Sequence, residues 1–179
     1  MSVIAVIDDE ERQREIIRTI LKDEGYETYG ASSAEEGLAL VLKMNPDIVI
    51  TDLKMSGMSG VELLDAINNM ETRIIPAVII MTAYGTISSA VEAIQKGAFD
   101  YLTKPLDKDL ILISIAKAAE RMSLLKENFR LHDALFEKFK MEGIVGNSQK
   151  MKAVIEAAKK VADAPVTVLI QGESGTGKE

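Results

Sequence analysis

The chain has no cysteine, which removes both a disulfide framework and a thiolate metal site from consideration. Any metal it binds must be held by oxygen, and that points to a hard cation such as magnesium or calcium. Aromatic residues are scarce at 4%, so the core must be built from aliphatic side chains. An excess of positive charge is also missing. The formal net charge of -7 argues against sequence-independent nucleic-acid binding, which rests on neutralising phosphates with Lys and Arg. Long hydrophobic runs are lacking at the start. Met1 to Ile7 is apolar for only a few residues before Asp8, Asp9, Glu10 and Glu11, too short for a signal peptide or a membrane span. The expectation is a cytoplasmic protein with no membrane partner.

What is present is enough for a folded core: 47% of residues are hydrophobic and 27% charged, values of an ordinary globular chain. The length of 179 residues exceeds one typical domain of about 100–150, so one full domain and a remainder are expected. Over the first part, short apolar runs alternate with helical patterns, the rhythm of βαβ units and a parallel sheet. The runs Val3 to Ile7, Glu27 to Gly30, Ile48 to Thr51, Ala77 to Met81 and Asp100 to Leu102 read as strands. Between them, four sets fall at helical spacing, each predicting one buried stripe: Ile16, Ile17, Ile20 and Leu21; Leu38, Val41 and Leu42; Leu63, Leu64 and Ile67; Ile87, Ala90, Val91 and Ile94. Ser33 with Glu36, and Ser59 with Glu62, have capping-box spacing, while Gly97 suits a helix C-terminus.

From Asp107 to Phe139 neither proline nor glycine interrupts the chain, so the fifth helix is expected to run on beyond its domain as a linker. Within it, Ile111, Ile115, Ala118, Met122, Leu125, Phe129, His132, Phe136 and Phe139 alternate spacings of four and three, a coiled-coil seam. An adjacent stripe of Leu124, Asn128, Leu131 and Leu135 competes with it. Either would make a homodimer through this helix. Gly143, Gly146 and Asn147 then break the pattern. A further helix from Ser148, with Met151, Val154, Ile155, Ala158 and Val161 on one face, is ended by Pro165, and Val166 to Ile170 reads as a buried strand leading into Gly172.

In a doubly wound parallel sheet, ligands collect at the carboxyl ends of the strands. Asp8 and Asp9 follow the first predicted strand, Asp52 the third, Thr82 the fourth and Lys104 the fifth. Converging carboxylates repel unless a cation joins them, and magnesium fits a site of few carboxylates completed by water and phosphate oxygens. A carboxylate can attack phosphorus to form an acyl phosphate if the charge on the phosphoryl oxygens is neutralised. Lys104 supplies part of that charge, Thr82 a hydroxyl donor, and the small Ala83 leaves room. Taken singly, a strand-end Asp often caps a helix and a Lys-Pro is often only a turn. Their joint order carries the argument.

With Asp8-Asp9, Asp52, Thr82-Ala83 and Lys104-Pro105 in this order, the chain resembles a bacterial response-regulator receiver domain over about residues 1–120. The resemblance implies a flavodoxin-like doubly wound sheet of strand order 2-1-3-4-5, with Asp52 phosphorylated by a partner sensor histidine kinase. It also implies Asp9 and Asp52 as direct metal ligands, Asp8 through water, the backbone carbonyl of Lys54 as a further ligand, Tyr101 as the aromatic switch and a cis Lys-Pro bond. Ser56 departs from the family's usual proline, which loosens the loop after Asp52.

The segment Gly172, Glu173, Ser174, Gly175, Thr176, Gly177, Lys178 and Glu179 has the glycine spacing and lysine of a P-loop, whose backbone N–H groups cradle phosphates. With Ile144-Val145-Gly146-Asn147-Ser148 it resembles the start of the AAA+ module of nitrogen-regulation-type, sigma-54-dependent transcription activators, in which Glu at the last position is normal. That resemblance implies a receiver at 1–120, a helical linker at 121–142 and an AAA+ fragment at 143–179. ATP, sigma-54 RNA polymerase and DNA would be engaged only by the complete parent protein, and no ATPase activity is expected of this chain. Two rival readings stand beside the switch. One is a magnesium-dependent phosphatase with an aspartate nucleophile of the haloacid-dehalogenase type, whose Asp-x-Asp after the first strand is broken here by Asp8-Asp9-Glu10. The other is a chain that serves chiefly as a dimerisation unit.

Overall fold

The structure is a computed structural model that describes residues 2–83 and 86–141, with side chains as far as 134, and in the C-terminal part residues 153–154, 156–158, 161–162, 167–169 and 171–172. Strands and helices alternate as β1 (Val3–Ile7), α1 (Glu11–Asp23), β2 (Glu27–Ala31), α2 (Ala34–Met44), β3 (Ile48–Asp52), α3 (Gly60–Asn68), β4 (Ala77–Thr82), α4 (Ile87–Gln95), β5 (Asp100–Thr103) and α5 (Lys108–Met141). All strands are parallel, in the order β2-β1-β3-β4-β5. The expected fold and strand order are therefore observed.

Side chains alternate across each strand, so the sheet feeds two cores. Ile4, Val6, Ile48, Ile50, Ile79 and Met81 face α1 and α5 and meet Ile17, Leu21, Ile111 and Ile115. Ala5, Ile7, Val49, Val78 and Ile80 face the opposite way, against Val41, Leu63, Leu64 and Ile67 of α2 and α3. Being covered on both faces explains why β1, β3 and β4 are continuous apolar runs.

Local signals bound the helices near the positions that the sequence predicts. Ser59 and Glu62 form a full capping box at α3. At α2 the box is displaced: Ser33 Oγ accepts from Glu36 N at 3.2 Å, but the Glu36 carboxylate bonds the backbone N–H and hydroxyl of Ser32 instead of Ser33. Gly97, at φ 96°, follows α4 as expected.

Four expected stripes are corrected. On α1 and α2, Ile17, Leu21 and Val41 are buried but Ile16 and Leu42 are exposed. On α4 the inward residue is Ala93, and Ile87, Val91 and Ile94 face outward, Ile87 at 87% exposure. Helical spacing identifies an apolar face; only the neighbours determine whether it is covered. On α5, Ile111, Ile115, Ala118 and Met122 of the expected coiled-coil seam lie in the domain's own core, with Leu125 packed against it. That half of the seam is already occupied. Arg121 lies over the Phe99 ring, 5.5 Å from its centroid, and Lys126 pairs with the buried Asp47, which also accepts from Val3 N at 3.2 Å.

The chain divides into two compact units, Met1–Leu131 and His132–Glu179. In the second, residues 153–154, 156–158 and 161 are helical, while Met151 and Ile155 of the expected helix lie outside the described residues. Thr167 to Leu169 are not strand, and Val168 and Leu169 are exposed, which overturns the described part of the expected buried strand, whose end residues Val166 and Ile170 lie outside the described residues. A strand needs neighbours to satisfy its backbone, and none is paired with it among the described residues.

Because Met122 is core and Leu124 is not, Met122→Ala should lower unfolding stability by about 2–5 kcal/mol, as for other buried truncations. Leu124→Ala should stay within about 0.5 kcal/mol. Denaturant titrations of both variants at monomeric concentration check the pair.

Candidate functional site

A parallel sheet brings every carboxyl strand end to one edge. Asp8 follows β1, Asp52 closes β3, Thr82 closes β4 and Lys104 follows β5. Backbone bonds carry the ladder just beyond the strands: Asp8 N donates to Ala31 O at 3.2 Å, Leu53 N to Met81 O at 2.7 Å and Lys104 N to Thr82 O at 2.7 Å. These residues are thus held by the sheet itself, and the Lys104–Pro105 bond is cis.

Lys104 Nζ lies 3.0 Å from Asp8 Oδ2 and 3.0 Å from Asp52 Oδ2. Asp8 is fully buried, and its other oxygen accepts from Glu10 N at 2.9 Å. Its backbone oxygen accepts from Arg14 Nη1 at 2.6 Å. Burial pulls the Lys104 ammonium toward a lower pKa, but hydrogen bonds and charge from Asp52 and Asp8 outweigh it and hold the pKa above the usual lysine value. The stabilisation from this pairing is complete below the ordinary lysine range and fades only as pH rises through the raised value.

Carboxylate oxygens of Asp8, Asp9 and Asp52 lie within 4.8 Å of one another, graded from the buried Asp8 through Asp52 to the exposed Asp9. An all-oxygen donor set with an open side suits magnesium, which keeps several waters and takes phosphate oxygens. The residues present therefore fit the ion. Thr82 is buried beside this cluster, and Lys54 lies in the loop leaving Asp52. Tyr101 is half-buried with its hydroxyl 2.9 Å from Ser89 Oγ, which ties β5 to the first turn of α4. Of the P-loop residues only Gly172 is described; Glu173, Ser174, Gly175, Thr176, Gly177, Lys178 and Glu179 lie outside the described residues.

Sequence reasoning missed two residues at this edge. Ser89 forms a capping box with Thr86, a spacing visible in the chain but lacking the usual Glu or Gln. Gly60 opens α3 so close to Asp52 that a Cβ there would stand 2.1 Å from the Asp52 carbonyl oxygen. Its position after the N-cap Ser59 was the only sign of it.

The family described as the response regulator receiver domain matches residues 4–116. This chain belongs to that family. A second family, the sigma-54 interaction domain, matches residues 144–179. The chain is 38% identical over 176 residues to the regulatory protein AtoC of Escherichia coli, covering 98% of this chain and 38% of that protein. It is 36% identical over 176 residues to the transcriptional regulatory protein ZraR of Klebsiella oxytoca, with 98% and 38% covered. It therefore spans well under half the length of these relatives. Among solved structures, a response regulator receiver domain protein from Clostridium thermocellum is 38% identical with a TM-score of 0.65, covering 70% of this chain and 99% of that one. NtrX from Brucella abortus, in complex with ATP, is 31% identical with a TM-score of 0.66, covering 90% and 34%.

The receiver's Gly60 allows a test of the close approach. Gly60→Ala should cost about 1–3 kcal/mol or more, because the opposing atom is backbone and cannot rotate away. Asp52 and Leu53 amide resonances should shift more than those of β1, and an unchanged Asp52 amide would contradict the contact.

Proposed function

We propose that the chain comprises the receiver (1–120), helical linker (121–142) and first AAA+ segment (143–179) of a sigma-54-dependent response regulator, switched by phosphorylation of Asp52 by a sensor histidine kinase. The observation that carries this reading is the Lys104 ammonium shared by the Asp8 and Asp52 carboxylates, with Asp9 beside them at the strand edge. The sigma-54 interaction match supports the architecture beyond the receiver. Contacts with polymerase, DNA and ATP are assigned to the complete parent protein, and this chain itself is read as a phosphoacceptor that acts in the cytoplasm.

An Asp52 carboxylate oxygen attacks the donor phosphorus; the bond from phosphorus to the donor's nitrogen or oxygen breaks and its electron pair leaves with the donor. Asp9, Asp52 and the Lys54 carbonyl, with Asp8 through water, would hold a magnesium ion that would neutralise charge on the phosphoryl oxygens. Lys104 exchanges its Asp52 contact for a phosphoryl oxygen, and the Thr82 hydroxyl donates to another. As Thr82 and Lys104 are drawn inward, Tyr101 and the start of α5 are repositioned, and the Tyr101–Ser89 bond carries the change to α4. The phosphatase reading fares worse. Its nucleophile would follow the first strand, where Asp8 is fully buried with both carboxylate oxygens engaged.

Acetyl phosphate with magnesium should add one phosphoryl group to the wild type and none to Asp52→Asn, read by intact mass. Equal labelling of the two would remove Asp52 from the mechanism. Beryllofluoride should mimic the modified state.

For the homodimer reading, the outward stripe of α5 is the better surface, since Ile111, Ile115, Ala118 and Met122 of the inward stripe are core. Leu124 and Leu131 are exposed, as is Asn128 between them, and two copies of one stripe are self-complementary. The side chain of Leu135, next on this stripe, lies outside the described residues, as do those of Phe136 and Phe139. Leu124→Asp with Leu131→Asp should convert dimers to monomers in light scattering with little loss of stability. Leu125→Asp should instead destabilise the receiver, because Leu125 packs on its core.

A further inference from the structure

The site depends on two kinds of support. Asp8, Asp52, Thr82 and Lys104 are held by the sheet, but the Lys54 carbonyl belongs to the loop between Asp52 and α3. That loop contains Ser56 and Gly57, the latter at φ 87°, and no proline. Its ends are fixed: Leu53 N donates to Met81 O, Gly60 N donates to Leu53 O at 3.0 Å, and Ser59 caps α3. Its middle is not in any helix or strand.

The middle is reached from another element. Glu35, on the first turn of α2, accepts a hydrogen bond from Met58 N at 3.1 Å across 23 positions of sequence. The same carboxylate lies against Gly57, where a Cβ would stand 3.0 Å from Glu35 Oε1. Gly57 thus serves twice, by adopting a positive φ and by letting the carboxylate approach the backbone. Glu35 is well suited to the task. Its own backbone N–H, the Ser33 hydroxyl and the Met58 N–H hold its carboxyl below the usual range, so it is ionised and an acceptor at neutral pH. The first turn of a helix favours such an anion.

We propose that Glu35 is a positioning residue that tethers the Lys54–Ser59 loop through Gly57 and Met58, and so sets the loop carbonyl for the magnesium site. The inference rests on the phosphoacceptor reading given above. Glu35 touches neither the metal nor the phosphoryl group; it acts by narrowing the conformations from which the loop presents its carbonyl. A binding-competent state populated only in part lowers apparent affinity by that fraction and leaves the saturated rate intact. The tether is therefore expected to appear in magnesium dependence, not in maximal rate.

Three proteins decide it: the wild type, Glu35→Gln, which keeps an acceptor oxygen, and Glu35→Ala, which does not. Glu35 is exposed, so both variants should fold, and thermal melts verify this. Amide hydrogen exchange, measured with no phosphodonor present, reads the tether alone. Met58 exchange should rise about ten-fold in Glu35→Ala and stay near wild type in Glu35→Gln. In acetyl phosphate labelling, the magnesium concentration giving half-maximal rate should rise about three- to ten-fold in Glu35→Ala, with the saturated rate within about two-fold. Unchanged Met58 exchange, or an unchanged magnesium half-saturation in Glu35→Ala, overturns the proposal. So does a Glu35→Gln variant as impaired as Glu35→Ala. A wild type that takes no label sinks the phosphoacceptor reading instead, while amide exchange still decides the tether.

Discussion

One ammonium group shared between two carboxylates is the constraint around which this domain is arranged. Asp8 is fully buried and Asp52 partly so, and the Asp8 charge is not tolerable there without a partner. Lys104 satisfies both at 3.0 Å, from the far side of the sheet in sequence terms. Removing Lys104 would leave the buried Asp8 charge uncompensated, and that cost ties β5 to the ends of β1 and β3. Three carboxylates and one ammonium still leave the cluster electronegative. The same arrangement therefore stabilises the fold and keeps a demand for further positive charge.

Around that cluster the parts differ in rigidity. Strand-end residues inherit their positions from backbone ladders, so Asp52 and Thr82 have little freedom. The loop beyond Asp52 and the first turn of α4 are held by side chains: Glu35 to Met58 on one side, Ser89 to Tyr101 and Thr86 on the other. Single hydrogen bonds of this kind contribute about 0.5–1.5 kcal/mol each, small enough for a change of charge at Asp52 to compete with them. A switch needs that contrast between fixed chemistry and adjustable surroundings.

At the opposite end of the sheet, α5 is fastened to the receiver well beyond the part that covers β5. Met122 and Leu125 in the core, Arg121 over Phe99 and Lys126 on Asp47 make the helix a rigid extension of the domain at least that far. A displacement at its start near Lys108 would move its exposed Leu124 and Leu131 with it, since a helix is stiff over such distances.

The sequence alone determined the order of strands and helices, the parallel sheet and the set Asp8, Asp9, Asp52, Thr82 and Lys104. Continuous β-branched runs, glycine and proline punctuation and strand-end polar residues are local signals, and the handedness of βαβ units turns them into one edge. Local chemistry could not say which apolar faces are covered. Ile87, Val91 and Ile94 have the spacing of a buried stripe and are exposed, while Ile111, Ile115 and Met122 have the spacing of a coiled coil and are core. Periodicity fixes the phase of a helix face; what lies against that face depends on residues distant in sequence. For the same reason the Glu35–Met58 bond and the approach of Gly60 to the Asp52 carbonyl emerged only from the tertiary structure, because each joins atoms whose proximity no local pattern encodes.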